Sequence, residues 1–149
     1  MRRVVRPHMD GTMRDLIERL RQAAGVHVED RAFDWLIRIT SVPGFEFEVL
    51  VPYTVLEWDV TARNAATGAE VWHDWMDYTG YVPKEAENLP QLAEDMRTDV
   101  EWFLATLRRA TDFRVRTERV LGILPQRAAE WLVDGEWRST WMTPRTAKG

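Results

Sequence analysis

Cysteine is absent from the 149 residues. That removes disulfide frameworks, thiolate nucleophiles and cysteine-ligated metals from consideration. Long apolar runs are also missing. No stretch approaches the roughly 20 residues of a membrane span, and the basic start Met1-Arg2-Arg3-Val4-Val5-Arg6-Pro7 is not followed by the apolar core of a signal peptide. The expectation is a cytoplasmic protein without a membrane partner. Histidine is scarce, at three residues, and neither His-x-His nor His-x-x-x-His occurs. Gly-x-Gly-x-x-Gly, P-loop and Gly-x-Ser-x-Gly patterns are likewise missing, so nucleotide cradles and serine-hydrolase elbows have no support. No cofactor is expected.

Lysine is nearly absent as well, at two residues (Lys84 and Lys148) beside eighteen arginines. The net charge of −4 hides a segregation along the chain. Residues 1–50 balance, residues 51–107 carry −8, and residues 108–149 carry +4. Such asymmetry bears on partners and encounter rates rather than on fold.

What the chain has in excess is tryptophan, with eight residues. Each indole buries about 150–250 Å² and needs an acceptor for its N–H. A chain of this length matches one domain with a real core, but eight are many for that core to enclose. One or two partly exposed tryptophans are expected.

The periodicities predict an α+β fold, an antiparallel β-sheet with two helices packed on one face, in the order α-β-β-β-β-α-β-β-β. Residues 1–11 read as a flexible arm, 12–141 as a single domain and 142–149 as a frayed tail. A first helix is predicted from Thr12 to about Ala24, with Thr12 as its cap and Asp15 in capping-box position. Leu16, Ile17, Leu20 and Ala24 form its apolar face, and Gly25 stops it. Period-two alternation then marks strands over Phe33–Thr40, Phe45–Val51 and about Thr54–Arg63, with the turn Ser41-Val42-Pro43-Gly44 between the first two.

The fourth strand, Ala69 to about Tyr78, carries aromatics on both parities: Trp72 and Tyr78 on one, Trp75 on the other. Residues 79–87 form a loop. Asn88 then caps a long helix whose stripe is Leu92, Met96, Val100, Phe103, Leu104 and Leu107. Beyond it, Phe113 to about Leu121 is strand-like. Asp134-Gly135 signals a two-residue hairpin that sets Leu132 opposite Trp137 and Trp131 opposite Arg138, a candidate cation–π pair. The competing reading is a short helix opened by Pro125 and running to Val133.

Three constellations bear on function. If loop 64–68 sets Arg63 opposite Ala69, then Asp59 faces His73 across the ladder. Glu57 and Asp77 share that face, a set able to bind a divalent metal or act as an acid–base pair. A slip of one residue would dissolve it, and charged cross-strand pairs are ordinary on a wet sheet face. His8 and His27 read as surface or loop residues. The arginines Arg108, Arg109, Arg114, Arg116, Arg119 and Arg127 could follow a phosphate backbone. The favoured reading is instead that they neutralise the acidic helix or sheet, and a nucleic-acid partner is not expected.

The third constellation interleaves aromatics with acids over strands three and four. There Trp72, Asp74, Trp75, Asp77, Tyr78 and Tyr81 form the candidate partner-binding set, with the aromatics filling a pocket and the carboxylates pairing to a basic surface. Against it stands the reading that Trp72 and Trp75 are both buried. The leading expectation is a non-enzymatic protein–protein interaction module, such as a small inhibitor, immunity or accessory protein, for which a homodimer is also open. The alternative is a metal-binding protein or enzyme built on Glu57, Asp59, His73 and Asp77.

Overall fold

The computed structural model describes residues 9–78, 89–120 and 124–139. Within them the chain runs α1 (Met9–Arg21), β1 (Val26–Asp30), β2 (Asp34–Ile39), β3 (Phe45–Pro52), β4 (Glu57–Asn64), β5 (Glu70–Asp77), α2 (Leu89–Arg109), β6 (Asp112–Val120), β7 (Leu124–Val133) and β8 (Glu136–Ser139). The fold is α+β with all strand pairing antiparallel. The strands form two sheets rather than one: a five-stranded meander β1-β2-β3-β4-β5 and a three-stranded meander β6-β7-β8.

The expected element order holds, with one strand added before the first. Val26-His27-Val28-Glu29-Asp30 alternates like its neighbours, Val26 and Val28 half-buried and His27 and Glu29 exposed. It pairs with β2 so that Val28 faces Ile37. The first helix also differs. It is already formed at Met9, so Thr12 lies inside it rather than at its cap, and it ends at Arg21. Ala24 falls beyond the helix and is exposed. Gly25, expected to stop the helix, instead lies four residues past its end and turns the chain into β1, with φ of 74°, a left-handed conformation that glycine adopts without steric cost. Asp15, instead of capping, meets Arg97 of α2 at 3.2 Å. The cap proposed at Asn88, the loop 79–87, the arm before Met9 and the tail 142–149 lie outside the described residues.

Alternation decides what each strand buries. Trp35, Ile37 and Ile39 of β2, Phe47, Val49 and Val51 of β3, and Trp58, Val60 and Ala62 of β4 all point to the same, inner face. Onto it pack the stripe Met96, Val100, Phe103, Leu104 and Leu107 of α2 and the face Met13, Leu16, Ile17 and Leu20 of α1, all buried. The helices are also joined at their surfaces by Arg19–Glu101 and Arg97–Asp15.

The three-stranded sheet closes the same inner face at the far end of β3 and β5. Trp131 is fully buried and is surrounded by Phe47, Trp72, Phe103 and Phe113, with ring centroids 5.1 to 6.2 Å away. Trp72 and Phe103 meet it edge-to-face, the arrangement ring quadrupoles favour, and Phe47 and Phe113 are tilted against it. Among the described residues the Trp131 indole N–H meets no hydrogen-bond acceptor. Both sheets and both helices thus contribute to one continuous hydrophobic cluster.

The terminal hairpin has the expected register: Trp131 pairs with Arg138 and Leu132 with Trp137. Asp134 and Gly135 take φ of 52° and 78°, both positive as a type I′ turn requires. The helical alternative for 125–133 is therefore excluded, since Leu124–Val133 is one long strand. The cation–π partner is different from the one expected. Trp131 is enclosed by the core, and it is Trp137 that takes a guanidinium, that of Arg114, at 4.0 Å.

Candidate functional site

Helices and terminal sheet all lie on the inner face of the five-stranded sheet, which leaves its outer face to be read row by row from the pairing. One row runs Glu29, Leu36, Leu50, Asp59, Trp75. The next runs His27, Arg38, Glu48, Thr61, His73. Glu57 stands directly opposite Asp77, two like charges in the position where sheets least favour them. Several outer charges are matched in ion pairs. Arg38 bridges Glu29 at 3.1 Å and Glu46 at 3.5 Å, Arg63 holds Glu48 at 2.6 Å, and Arg31 holds Asp34 at 2.9 Å.

The β4–β5 register departs from the expected one. Asp59 pairs with Trp75, and His73 pairs with Thr61. Two single-residue offsets add up to this result. The loop closes one residue later, with Arg63 opposite Glu70, and a bulge between Ala62 and Arg63 contributes the second. Asn64 builds the loop: its Oδ1 accepts the N–H groups of Ala66 and Thr67, and its own N–H reaches the carbonyl of Ala69. Because the total shift is two, parity survives and every side chain keeps its predicted face. Asp59 and His73 become diagonal neighbours, with Nε2 and Oδ2 4.0 Å apart.

The metal reading does not gain from this arrangement. Among the described residues no group of three or more histidine and carboxylate side chains comes together to hold an ion, and Glu57, Asp59, His73 and Asp77 are spread over three rows.

The candidate docking residues divide sharply. Trp72 is 7% exposed and packs on Phe113 and Trp131. Tyr78 is 6% exposed, its hydroxyl accepting the Trp58 indole N–H at 3.1 Å and donating to Asp99 Oδ2 at 2.7 Å. Burial pushes the Tyr78 phenol far above its ordinary range, with Asp99 adding to the effect, so the proton stays to bridge the two partners. Both aromatics therefore belong to the core and cannot fill a partner's pocket. Asp74 shares their inward parity opposite Val60; it is half-buried, and its Oδ1 accepts the Trp75 N–H at 2.9 Å. Desolvation raises its pKa, partly offset by that hydrogen bond and by His73. Tyr81 lies outside the described residues.

Trp75 is the exception. It is 64% exposed, stacked beside His73 with ring centroids 6.4 Å apart and planes 20° from parallel. Asp77 is exposed two residues on. The sequence reading did not single out Leu36 and Leu50, apolar residues at polar parities on β2 and β3. Leu36 is buried and Leu50 half-buried, and with Trp75 they give the outer face an apolar row interrupted only by Asp59. The signal was legible: each stands where its neighbours on the same parity, Asp34, Arg38, Glu46 and Glu48, are charged. Asp59 sits between Leu50 and Trp75, and the resulting desolvation lifts its pKa, with His73 opposing and Asp34 and Glu48 reinforcing the shift.

Four of the six candidate terminal arginines meet partners within the fold. Arg114 and Arg116 share Glu130, Arg109 meets Asp134, and Arg127 donates to the Val71 carbonyl at 2.6 Å. The three-stranded sheet thus neutralises much of its own charge, and the acidic α2 is met by Arg19 and Arg97 instead. Among the described residues no helix is long and apolar enough to cross a membrane. Comparison of the chain with protein-family models, curated proteins and solved structures gave no match.

Proposed function

We propose that this chain is a non-enzymatic binding protein that docks through the outer face of its five-stranded sheet onto a partner with a basic surface. Trp75 is the anchor, beside Asp59 and His73, with Leu50 one strand beyond Asp59. Asp59, Glu57 and Asp77 supply charge. The observation that carries the reading is the 64% exposure of Trp75 on a sheet face that neither helix nor the second sheet covers. A large rigid indole left in water beside carboxylates is the kind of residue on which binding energy concentrates. Glu57 and Asp77, directly opposite each other, place negative charge near the indole, which suits a cationic partner. The local pairing of the terminal arginines disfavours a nucleic-acid reading.

The test is capture from an extract of the native host on immobilised wild-type protein and on Trp75→Ala, with the bound protein identified and then titrated in purified form. The expected result is a partner lost with Trp75→Ala, weakened by Asp77→Asn and released by salt. A partner that binds Trp75→Ala as well as it binds the wild type overturns the reading.

A further inference from the structure

Strand β5 closes the five-stranded sheet on one side, and no further strand pairs with it among the described residues. Which of its backbone groups face that edge follows from the ladder. The Tyr78 N–H donates to the Leu56 carbonyl, so the even-numbered residues of β5 bond to β4 and the alternate ones point away. The edge therefore presents the main-chain groups of Val71, His73, Trp75 and Asp77. Two of these are taken up by side chains. The Val71 carbonyl is held by Arg127 at 2.6 Å, and the Trp75 N–H is held by the carboxylate of Asp74 at 2.9 Å. An exposed row of main-chain donors and acceptors is a template for another strand, and these two contacts interrupt it.

We propose that β5 is a latched strand-pairing edge whose occupant is β5 of a second copy of this chain, with Asp74 as the latch. The two contacts select the register. Pairing centred on His73 would need the Val71 carbonyl, which Arg127 holds. Pairing centred on Asp74 would set two Asp74 carboxylates face to face, which like charges oppose. Pairing centred on Trp75 avoids both. It sets Trp75 opposite Trp75 of the second copy, and His73 opposite the second copy's Asp77, twice over by symmetry. In this register the isologous contact is complementary in aromatic surface and in charge. The hydrogen bond between Asp74 and the Trp75 N–H must open for it to form. This inference does not depend on the outer-face reading, because it concerns the purified chain alone.

The experiment removes the latch. Asp74→Ala has no acceptor for the Trp75 N–H, whereas Asp74→Asn keeps one. Sedimentation velocity should show a concentration-dependent dimer for Asp74→Ala and a monomer for Asp74→Asn. Because the chain has no cysteine, a single introduced one reports on one position. On the two-fold axis, Cα atoms of a hydrogen-bonded pair lie about 5.5 Å apart, within disulfide reach. Asp74→Ala/Trp75→Cys should therefore cross-link under mild oxidation several times faster than Asp74→Ala/Glu57→Cys, whose cysteine sits one strand in. A monomeric Asp74→Ala overturns the proposal. So does a dimer whose cross-linking is no faster at position 75 than at 57. Should Asp74→Ala fail to fold, Asp74→Val, which suits a strand and also lacks an acceptor, takes its place with the same two outcomes. Self-association with unchanged capture of a basic partner by the wild type would leave both conclusions standing. Monomeric variants with intact Trp75-dependent capture would remove this one alone.

Discussion

Trp72 and Trp75 lie three residues apart on one strand and meet opposite fates. Trp72 points inward and is 7% exposed, against the rings of Phe113 and Trp131; Trp75 points outward and is 64% exposed. Residue type does not separate them, nor does neighbourhood in the sequence, since carboxylates flank both. Parity separates them, because the odd offset turns one to each face of the pleat. The inner face is closed by two helices and a second sheet, and the outer face by nothing among the described residues. The same chemistry is structural on one side and available for recognition on the other.

That contrast can be broken most forcefully by truncating each indole in turn. Trp72→Ala should cost about 3–5 kcal/mol, the usual penalty for emptying a large aromatic site in a packed core. Trp75→Ala should stay within about 0.5 kcal/mol of wild type, as surface substitutions do. Urea unfolding followed by circular dichroism measures both. Equal losses at the two positions would show that Trp75 is covered by chain outside the described residues, and the proposed docking face would go with it.

An intermediate effect is expected where a polar group is buried on the inner side. Tyr78→Phe removes the hydroxyl that accepts from Trp58 and donates to Asp99. The Trp58 indole N–H is then left in a buried site without its acceptor. A loss of about 1–3 kcal/mol follows from that desolvation, and the urea midpoint should fall with the slope unchanged. A neutral result would mean that Trp58 finds another acceptor.

These sites also show how far the amino-acid pattern carries. The hairpin at 131–138 was legible to the residue because Asp134-Gly135 forces two positive φ values, and a two-residue turn leaves the register no freedom. The β4–β5 register was not legible. Its loop is shaped by the Asn64 side chain, and a bulge beside Arg63 adds a residue. Both depend on closure of the folded ladder rather than on local alternation. The faces were nevertheless right, since a shift of two leaves parity intact.

Strand β1 was legible in principle as Val26 and Val28 alternating with His27 and Glu29, but five residues give too few periods to stand out from a loop. The division of the docking candidates was only half legible. Alternation sorts Trp72 from Trp75, but which face stays open depends on where α2 and the terminal sheet pack, and that is a tertiary outcome. The proposed functional role is tied to Trp75 and its neighbours, not to the whole aromatic set that the pattern first suggests.

The smallest effect concerns the charge beside Trp75. Asp59 is part-buried between Leu50 and Trp75, and desolvation raises its pKa in the folded state above that in the unfolded chain. A carboxyl group with this sign binds its proton more tightly when folded. Its contribution therefore favours folding at acid pH and declines as pH rises from the ordinary carboxylate value through the raised one. Above that window the folded chain carries a charge it holds less comfortably than water would, eased by His73 at 4.0 Å. Asp59→Asn removes the titration. Its stability relative to wild type should thus improve slightly on going from the acid side of the window to the alkaline side, read as the difference in urea midpoint between the two proteins across that range. A difference that does not vary with pH would mean that Asp59 is as well solvated folded as unfolded. In that case the apolar row of Leu36, Leu50 and Trp75 does not close around it, and the carboxylate is simply one more charge on a wet surface.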